Sequence, residues 1–144
     1  MKTVSPYLNF PGQTLEAFQH YQSIFGGELR FVRFKDMPGM DAPAHVHDKI
    51  ANVSLTLIDG ATLMGSDAVE GFGPPLQVGN NFSIALETTS KDEAETLFGK
   101  LRDGGEVTMP MQETSWAERF GMCRDKFGIQ WMLNFTGAKQ FQPG

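Results

Sequence analysis

The feature that most constrains the fold of this chain is an internal repeat. The tripeptide Gly-Gly-Glu occurs at Gly26–Glu28 and again at Gly104–Glu106, each time after apolar residues at helical spacing. A glycine is also followed by a methionine four residues later at Gly60–Met64 and at Gly128–Met132. A repeated unit that cannot bury both of its faces alone is stabilised by packing against its copy. The repeat therefore predicts two similar modules that enclose a cavity.

Hydrophobic periodicity predicts the element order β-α-β-β-β in each half. Helix signals support both predicted helices, namely an N-cap at Thr14, a capping box at Ser90–Glu93 and a glycine pair after each helix. Pro110 suits an edge strand or a bulge. The predicted strands are Val4–Phe10, Glu28–Phe34, Ile50–Ile58 and Ala61–Gly65 in the first half, then Phe82–Glu87, Glu106–Met111 and two strands within Gln112–Phe135 in the second.

The last hairpin has two chemically different faces. A turn at Asp125–Gly128 begins with Asp and ends with Gly, as tight turns favour. After the turn, Ile129, Trp131, Leu133 and Phe135 alternate with Gln130, Met132 and Asn134. Because successive strand side chains point to opposite faces, the first set is predicted to be core and the second to be a cavity wall.

Length and composition indicate one domain, 1–144, with modules at 3–66 and 80–136 and a Gly/Pro-rich linker at 66–80. The net charge of −5 argues against a nucleic-acid partner. No run of about 18 apolar residues or signal peptide is present, and the single cysteine cannot form an internal disulfide. These features predict a cytoplasmic protein without a membrane partner.

A homodimer is predicted from the two long loops, Lys35–Asp48 and Ser66–Asn80. Four apolar residues in them have no evident place in a single core, and exposed apolar groups often mark an interface. These residues are Met37, Met40, Phe72 and Leu76.

Three motifs together resemble the vicinal oxygen chelate superfamily. They are HYQSIFGGEL around the end of the first helix, LMGSD at the end of the first half, and ETSWAERFGMCRDKFGIQWMLNF at the end of the second. Within it the chain is similar to the PhnB-like branch, also called the 3-demethylubiquinone-9 3-methyltransferase domain. The resemblance implies the α+β glyoxalase/bleomycin resistance-like fold, in which two βαβββ modules related by a pseudo-twofold form an incomplete barrel. No Gly-rich strand-to-helix loop with a following acidic residue occurs, so a methyl-donor nucleotide site is not predicted.

The resemblance also implies where a divalent metal would bind. Enzymes of the superfamily hold it through His and Glu residues on the first and last strands of the modules. The matching positions here are Met64 and Met132 for Glu, and Ser83 and Ser5 (or Pro6) for His. A neutral thioether or hydroxyl does not hold Mg, Mn, Ni or Zn in an all-protein site, so no cofactor is predicted there.

Other residues give alternative chemistry. His45, His47 and Asp48 could bind a divalent metal, although the simpler interpretation is a solvated loop. Glu113 is an acid–base candidate, because a carboxyl group next to Trp116 in a closed cavity would be stabilised in its protonated form. The simpler interpretation is a partly exposed acid at the end of a strand. Cys123 is interpreted as a small buried hydrophobe rather than a nucleophile.

The leading functional interpretation is a metal-free cavity that binds a small, partly apolar molecule, with no reaction assigned. Two alternatives stay open: a metal-dependent lyase or dioxygenase relative that uses the loop histidines, and a drug-sequestering resistance protein. The predicted ligand-binding residues are Met64, Ser83, Trp116, Phe120, Gln130, Met132 and Asn134.

Overall fold

The computed structural model describes residues 1–39 and 41–139, which form two compact units that divide between Gln77 and Val78. Each unit contains one four-stranded sheet and one helix. The first unit consists of β1 (Tyr7–Phe10), α1 (Thr14–Phe25), β2 (Glu28–Arg33), β3 (Ile50–Thr56) and β4 (Thr62–Asp67). The second consists of β5 (Ile84–Glu87), α2 (Lys91–Arg102), β6 (Glu106–Gln112), β7 (Arg119–Arg124) and β8 (Gln130–Phe135).

The first unit buries one face of its sheet against α1. Its strand order is β1-β4-β3-β2, with β1 parallel to β4 and the other pairs antiparallel. The ring of Phe18 lies edge-on to those of Phe10 and Tyr21, at centroid distances of 6.3 and 5.7 Å. Leu8, Val53, Leu55 and Leu63 complete this buried face.

The second unit repeats this arrangement in the order β5-β8-β7-β6, with β5 parallel to β8. Ala94, Phe98 and Leu101 are the buried residues of α2. Trp131 is fully buried, and its indole Nε1–H donates to Asp125 Oδ2 at 2.8 Å. The predicted core face of the last hairpin is confirmed for Ile129, Trp131 and Leu133, whereas Phe135 is half-buried.

The register of the strands supports the internal repeat. Tyr7 pairs with Met64 in the first unit, and Ala85 pairs with Met132 at the equivalent place in the second. The predicted α+β class and the β-α-β-β-β order of each half are confirmed. In the part of the chain that the structure describes, no helix has the length and apolar character needed to cross a membrane.

The repeated glycine pairs have a steric reason. A Cβ on Gly27 would lie against the carbonyl oxygen of Thr56, and a Cβ on Gly105 would lie against that of Arg124. In both cases the clashing atom is a backbone oxygen of the neighbouring antiparallel strand, β3 for Gly27 and β7 for Gly105. Backbone that is paired in a sheet cannot move aside as the end of a flexible side chain can. The second glycine of each pair therefore allows the chain to enter its sheet directly after the helix.

Replacing Gly105 with alanine is expected to lower the free energy of unfolding by about 1–3 kcal/mol, because the new methyl group overlaps backbone atoms. The matched control is Gly99→Ala in α2, where a Cβ meets nothing within 4 Å. That control should raise stability by about 0.5–1 kcal/mol, because alanine favours a helix interior over glycine. Urea unfolding followed by circular dichroism measures both. Equal effects of the two changes would contradict the steric explanation.

Two sequence predictions for the first unit are wrong in detail. Thr14 is not an N-cap: Gln13 takes that position without a side-chain bond, and Thr14 begins the helix. The segment Lys35–Asp48 has no apolar period and is predicted to be an irregular loop, yet short 3₁₀ turns form at Phe34–Asp36 and Ala44–Val46, and Ala42 and Val46 pack with Phe34 in a small buried cluster. Helical spacing also predicts core positions for Phe25 and, in α2 of the second unit, for Leu97; both side chains are half-buried.

The second unit follows its predicted signals more closely. Ser90 Oγ accepts the Glu93 N–H at 3.0 Å, as the capping box requires, and the Glu93 carboxylate accepts the Thr89 N–H at 2.9 Å. Strand β6 lies at the edge of its sheet and has register irregularities on both sides of Met109. The edge or bulge expected at Pro110 is therefore confirmed.

Candidate functional site

The sheet faces that turn away from the helices carry most of the predicted ligand-binding residues. In the second unit Gln130, Met132 and Asn134 alternate along β8 with buried core residues and are half-buried. Phe120 and Met122 on β7 pair with Asn134 and Met132, so they share this face. Gly121, between them, faces the other way, because a Cβ there would contact Phe98 of α2.

An aromatic pair lies at one end of this face. The Trp116 and Phe120 rings meet edge to face with centroids 5.2 Å apart. Phe120 is buried, whereas Trp116 is 36% exposed. A turn positions Trp116, since Thr114 Oγ1 accepts the N–H groups of Trp116 and Ala117 at 3.3 and 3.1 Å. The pair places the partly exposed ring of Trp116 beside the polar groups of β8.

The amides of β8 also hold β5 in place. Gln130 Nε2 donates to the Phe82 carbonyl at 2.6 Å, and Asn134 Nδ2 donates to Glu87 Oε1 at 2.6 Å. Ser83, half-buried, directly precedes β5 beside the first of these bonds. The polar residues predicted to orient a ligand are thus themselves oriented by neighbouring groups.

Glu87 is a residue of this face that sequence reasoning missed. Its carboxylate accepts the Asn134 amide, the Thr136 hydroxyl at 3.1 Å and the Thr136 N–H at 2.9 Å. Burial opposes ionisation of Glu87, but these hydrogen bonds outweigh it and hold the pKa of Glu87 below its usual value. The face therefore carries a fixed negative charge.

Met64 belongs to the first unit, unlike the other six predicted residues. It pairs with Tyr7 on one side and Ser54 on the other and is half-buried. Two residues further along the same strand, Ser66 Oγ donates to Asn9 Oδ1 at 3.2 Å. By register, the Asn9–Ser66 pair is the equivalent of Glu87–Asn134.

The superfamily's metal positions do not fit a divalent cation in this chain. Met64, Met132, Ser83 and Ser5 offer thioethers and neutral hydroxyls, which cannot repay the dehydration of such an ion. Among residues 1–39 and 41–139, no three His, Cys, Asp or Glu side chains are grouped as metal ligands would be.

The loop residues proposed as alternative ligands have other partners. His47 Nε2 lies 2.7 Å from the Ala42 carbonyl oxygen, and His45 is exposed. The Lys35 ammonium bonds Asp48 at 3.1 Å and holds the pKa of that carboxyl below its usual range. Arg33 donates to the backbone carbonyl of Asp48 at 2.7 Å. These contacts fasten the loop to the end of β2.

Two further candidates lie in different surroundings. Glu113 is exposed and forms an ion pair with Lys139 at 3.2 Å. Cys123 is buried, and burial together with the nearby charge of Asp125 raises the pKa of its thiol to about 11. A thiol of that pKa is almost fully protonated at neutral pH, which makes it a poor nucleophile.

Comparison with known proteins places the chain among relatives of its own length. The family model described as 3-demethylubiquinone-9 3-methyltransferase matches residues 2–134. Protein YjdN of Escherichia coli (strain K12) is 34% identical, over 96% of this chain and 99% of that protein. The crystal structure of protein PA1353 from Pseudomonas aeruginosa matches with a TM-score of 0.84 at 39% identity, over 98% of this chain and 100% of that one.

A more distant match concerns the fold alone. It is a glyoxylase/bleomycin resistance protein/dioxygenase domain from Frankia sp. EAN1pec, with a TM-score of 0.61 at 15% identity. The alignment covers 95% of this chain and 97% of that one.

Proposed function

Because this chain belongs to the 3-demethylubiquinone-9 3-methyltransferase family and has the glyoxalase fold, we propose that it binds a small, partly apolar molecule without a divalent metal. The observation that carries the proposal is the neutral donor set at all four superfamily positions, Met64, Met132, Ser83 and Ser5. Methyl transfer, as in the family's description, is not part of the proposal, because the sequence has no methyl-donor nucleotide motif.

The surfaces proposed to contact the ligand are the sheet faces opposite the helices. Met132, Gln130 and Asn134 give the second unit a wall of mixed apolar and hydrogen-bonding character, with Trp116 and Phe120 at one end. Ligand sites generally combine apolar lining with a few placed polar groups, which is the composition of this wall. Ser83 is a further proposed contact residue of this wall, and Met64 is the contact residue proposed on the equivalent face of the first unit.

Metal content tests the proposal directly. Protein purified without an affinity tag or added metal is expected to contain Zn, Ni, Mn and Fe far below one atom per chain by mass spectrometry. One atom per chain that disappears in His47→Ala would instead support a metal enzyme based on the loop. One atom per chain that survives in His47→Ala but is lost in Ser83→Ala would overturn the proposal itself.

Ligand binding requires its own measurement. A metabolite and drug panel that includes bleomycin should contain a compound that raises the melting temperature, because a ligand of the native state stabilises it by mass action. The stabilisation should be lost in Met132→Lys on the wall and kept in Thr96→Lys on the exposed face of α2. Equal shifts in both variants would place the ligand elsewhere.

We also propose that the chain forms a homodimer. The loop residues give this proposal little support, because Phe72 packs on Phe34 with ring centroids 5.4 Å apart and Met37 and Leu76 are half-buried, while Met40 lies outside the described residues. Better support comes from the edge strands, where Val107, Met109 and Phe31 are exposed. Light scattering at micromolar concentration should give about twice 15.9 kDa, and a mass of 15.9 kDa would contradict the proposal.

A further inference from the structure

A segment of the first unit borders an open hollow, beyond the residues that the proposed function assigns to the ligand. Residues 68–77, here called the strap, follow β4 and border a hollow of about 370 Å³. That volume falls within the range of sites for small organic molecules. The floor comes from the ends of β1 and β4 and the wall from the strap, with Asn9, Ser66, Phe72, Pro74, Pro75 and Leu76 among the lining residues.

The strap is fixed to the rest of the unit at its start and at its middle. The Ala68 N–H donates to the Phe10 carbonyl at 2.7 Å. Further along, the Phe72 ring packs on Phe34, which belongs to the cluster with Ala42 and Val46. Beyond Phe72, the fixed φ angles of Pro74 and Pro75 restrict the wall. A wall that is already ordered loses little conformational entropy when a ligand binds.

The floor presents hydrogen-bond donors. Ser66 Oγ donates to Asn9 Oδ1, so the oxygen of the Asn9 amide is occupied by a neighbour. No hydrogen bond to Asn9 Nδ2 occurs among the described residues, and the Asn9 side chain is exposed. An amide N–H₂ group beside the apolar side chains of the strap suits a carbonyl oxygen on the ligand.

Among the described residues that line the hollow, the one charged side chain is that of Asp67, whose carboxylate lies on the α1 side of β4. Asp67 is buried and accepts hydrogen bonds from the Thr14 N–H, the Thr14 hydroxyl and the Ile50 N–H, all neutral donors. None of the described lining residues is a lysine, arginine or histidine. The Lys49 ammonium lies close to Gly12, which follows Pro11. Pro11 lines a second hollow bordered by the strap and is not among the residues that line the Asn9 hollow. An anion in the Asn9 hollow would therefore meet a like charge without a partner cation.

We propose that the strap hollow is a binding site for a neutral molecule that has a flat apolar ring and a carbonyl oxygen. The ring packs against Phe72, Pro74 and Leu76, and the carbonyl oxygen accepts a hydrogen bond from Asn9 Nδ2. Carboxylates of the same shape bind more weakly because of their charge. This site lies wholly within the first unit and goes beyond the wall described in the proposed function.

Two probes of nearly equal shape test the proposal: benzamide is neutral and benzoate is an anion. Titration of the full-length ¹⁵N-labelled protein should move the amide signals of Asn9, Ser66 and the strap with benzamide. The dissociation constant should be on the order of millimolar, as for other fragments of about nine non-hydrogen atoms. Benzoate should bind at least about tenfold more weakly, because it brings a second negative charge beside Asp67.

Variants assign the interaction to named side chains. Asn9→Asp removes the amide donors and adds a negative charge, so benzamide should bind at least about fivefold more weakly. Its matched control is Asn80→Asp, the same change at an exposed position of the second unit, which should leave benzamide binding unchanged. Leu76→Ala, which shortens the apolar wall, should also weaken binding and provides a second test if Asn9→Asp unfolds the protein.

Several results would overturn this assignment. They are the absence of any shift with benzamide, benzoate binding as tight as that of benzamide, shifts confined to the second unit, and unchanged binding in both Asn9→Asp and Leu76→Ala. Metal content and the response of Met132→Lys to the compound panel do not depend on the strap hollow. Failure here is therefore distinguishable from failure of the proposed function.

Discussion

Trp131→Ala is expected to lower the free energy of unfolding by about 3–5 kcal/mol, the cost of truncating a large core side chain. Trp131 is fully buried in β8, on the face that α2 covers. Its loss leaves a cavity and also removes the indole donor to the buried Asp125 carboxylate. Urea denaturation, followed by circular dichroism because the variant loses a fluorophore, measures the change.

Two variants separate the contributions of packing and hydrogen bonding at Trp131. Trp131→Phe keeps most of the ring volume but not the Nε1–H group, so it should retain part of the lost stability. Trp116→Ala removes the partly exposed tryptophan and should cost less than Trp131→Ala. A loss below about 1 kcal/mol for Trp131→Ala would be incompatible with a buried position.

The elements were predictable from the sequence where their signals are local. The turn at Asp125–Gly128 depends on residues next to one another: Gly128 has φ +93° and its N–H donates to the Asp125 carbonyl. The Ser90 cap is equally local, since its acceptor and donor are three residues apart. Thr14 also offers a hydroxyl near a helix start, although without the Glu of a capping box, and this hydroxyl bonds Asp67, which is 53 residues away. Tertiary contacts overrode the local preference there.

The candidate sites were less predictable because they depend on strand register. Asn134 meets Glu87 across 47 residues of sequence, and Ser66 meets Asn9 across 57. Parallel pairing of the first and last strands in each unit brings these residues together, and periodicity alone does not specify that pairing. Without that pairing, the sequence does not distinguish Glu87 at the end of its strand from an ordinary exposed acid.

The strap has contacts that its composition does not reveal. Its glycines and prolines indicate a linker, and residues 66–80 were predicted as one. In the structure Ser66 and Asp67 belong to β4, and Phe72 packs on an aromatic partner 38 positions earlier in the chain. Gly71 and Gly73 flank Phe72 with φ +90° and +93°, conformations that glycine adopts readily. The two glycines therefore shape the backbone around Phe72.

The buried carboxylate of Asp67 connects three elements, and Asp67→Ala should lower the free energy of unfolding by at least about 3 kcal/mol. Asp67 lies at the end of β4, its Oδ1 accepts two hydrogen bonds from the first residue of α1, and its Oδ2 accepts the N–H of Ile50 at the start of β3. Alanine leaves these buried donors without an acceptor, and each such group costs about 1–3 kcal/mol.

The size of that loss should follow the number of acceptors removed. Asp67→Asn keeps one oxygen but places an amide N–H₂ against a backbone donor, so its stability should lie between those of Asp67→Ala and the native protein. Asp41→Ala, an exposed aspartate in the same unit, should stay within about 0.5 kcal/mol of the native value. Urea unfolding of the three variants decides the matter. If Asp67→Ala proved as stable as Asp41→Ala, the three hydrogen bonds would contribute nothing to folding, and the helix start would be held by packing alone.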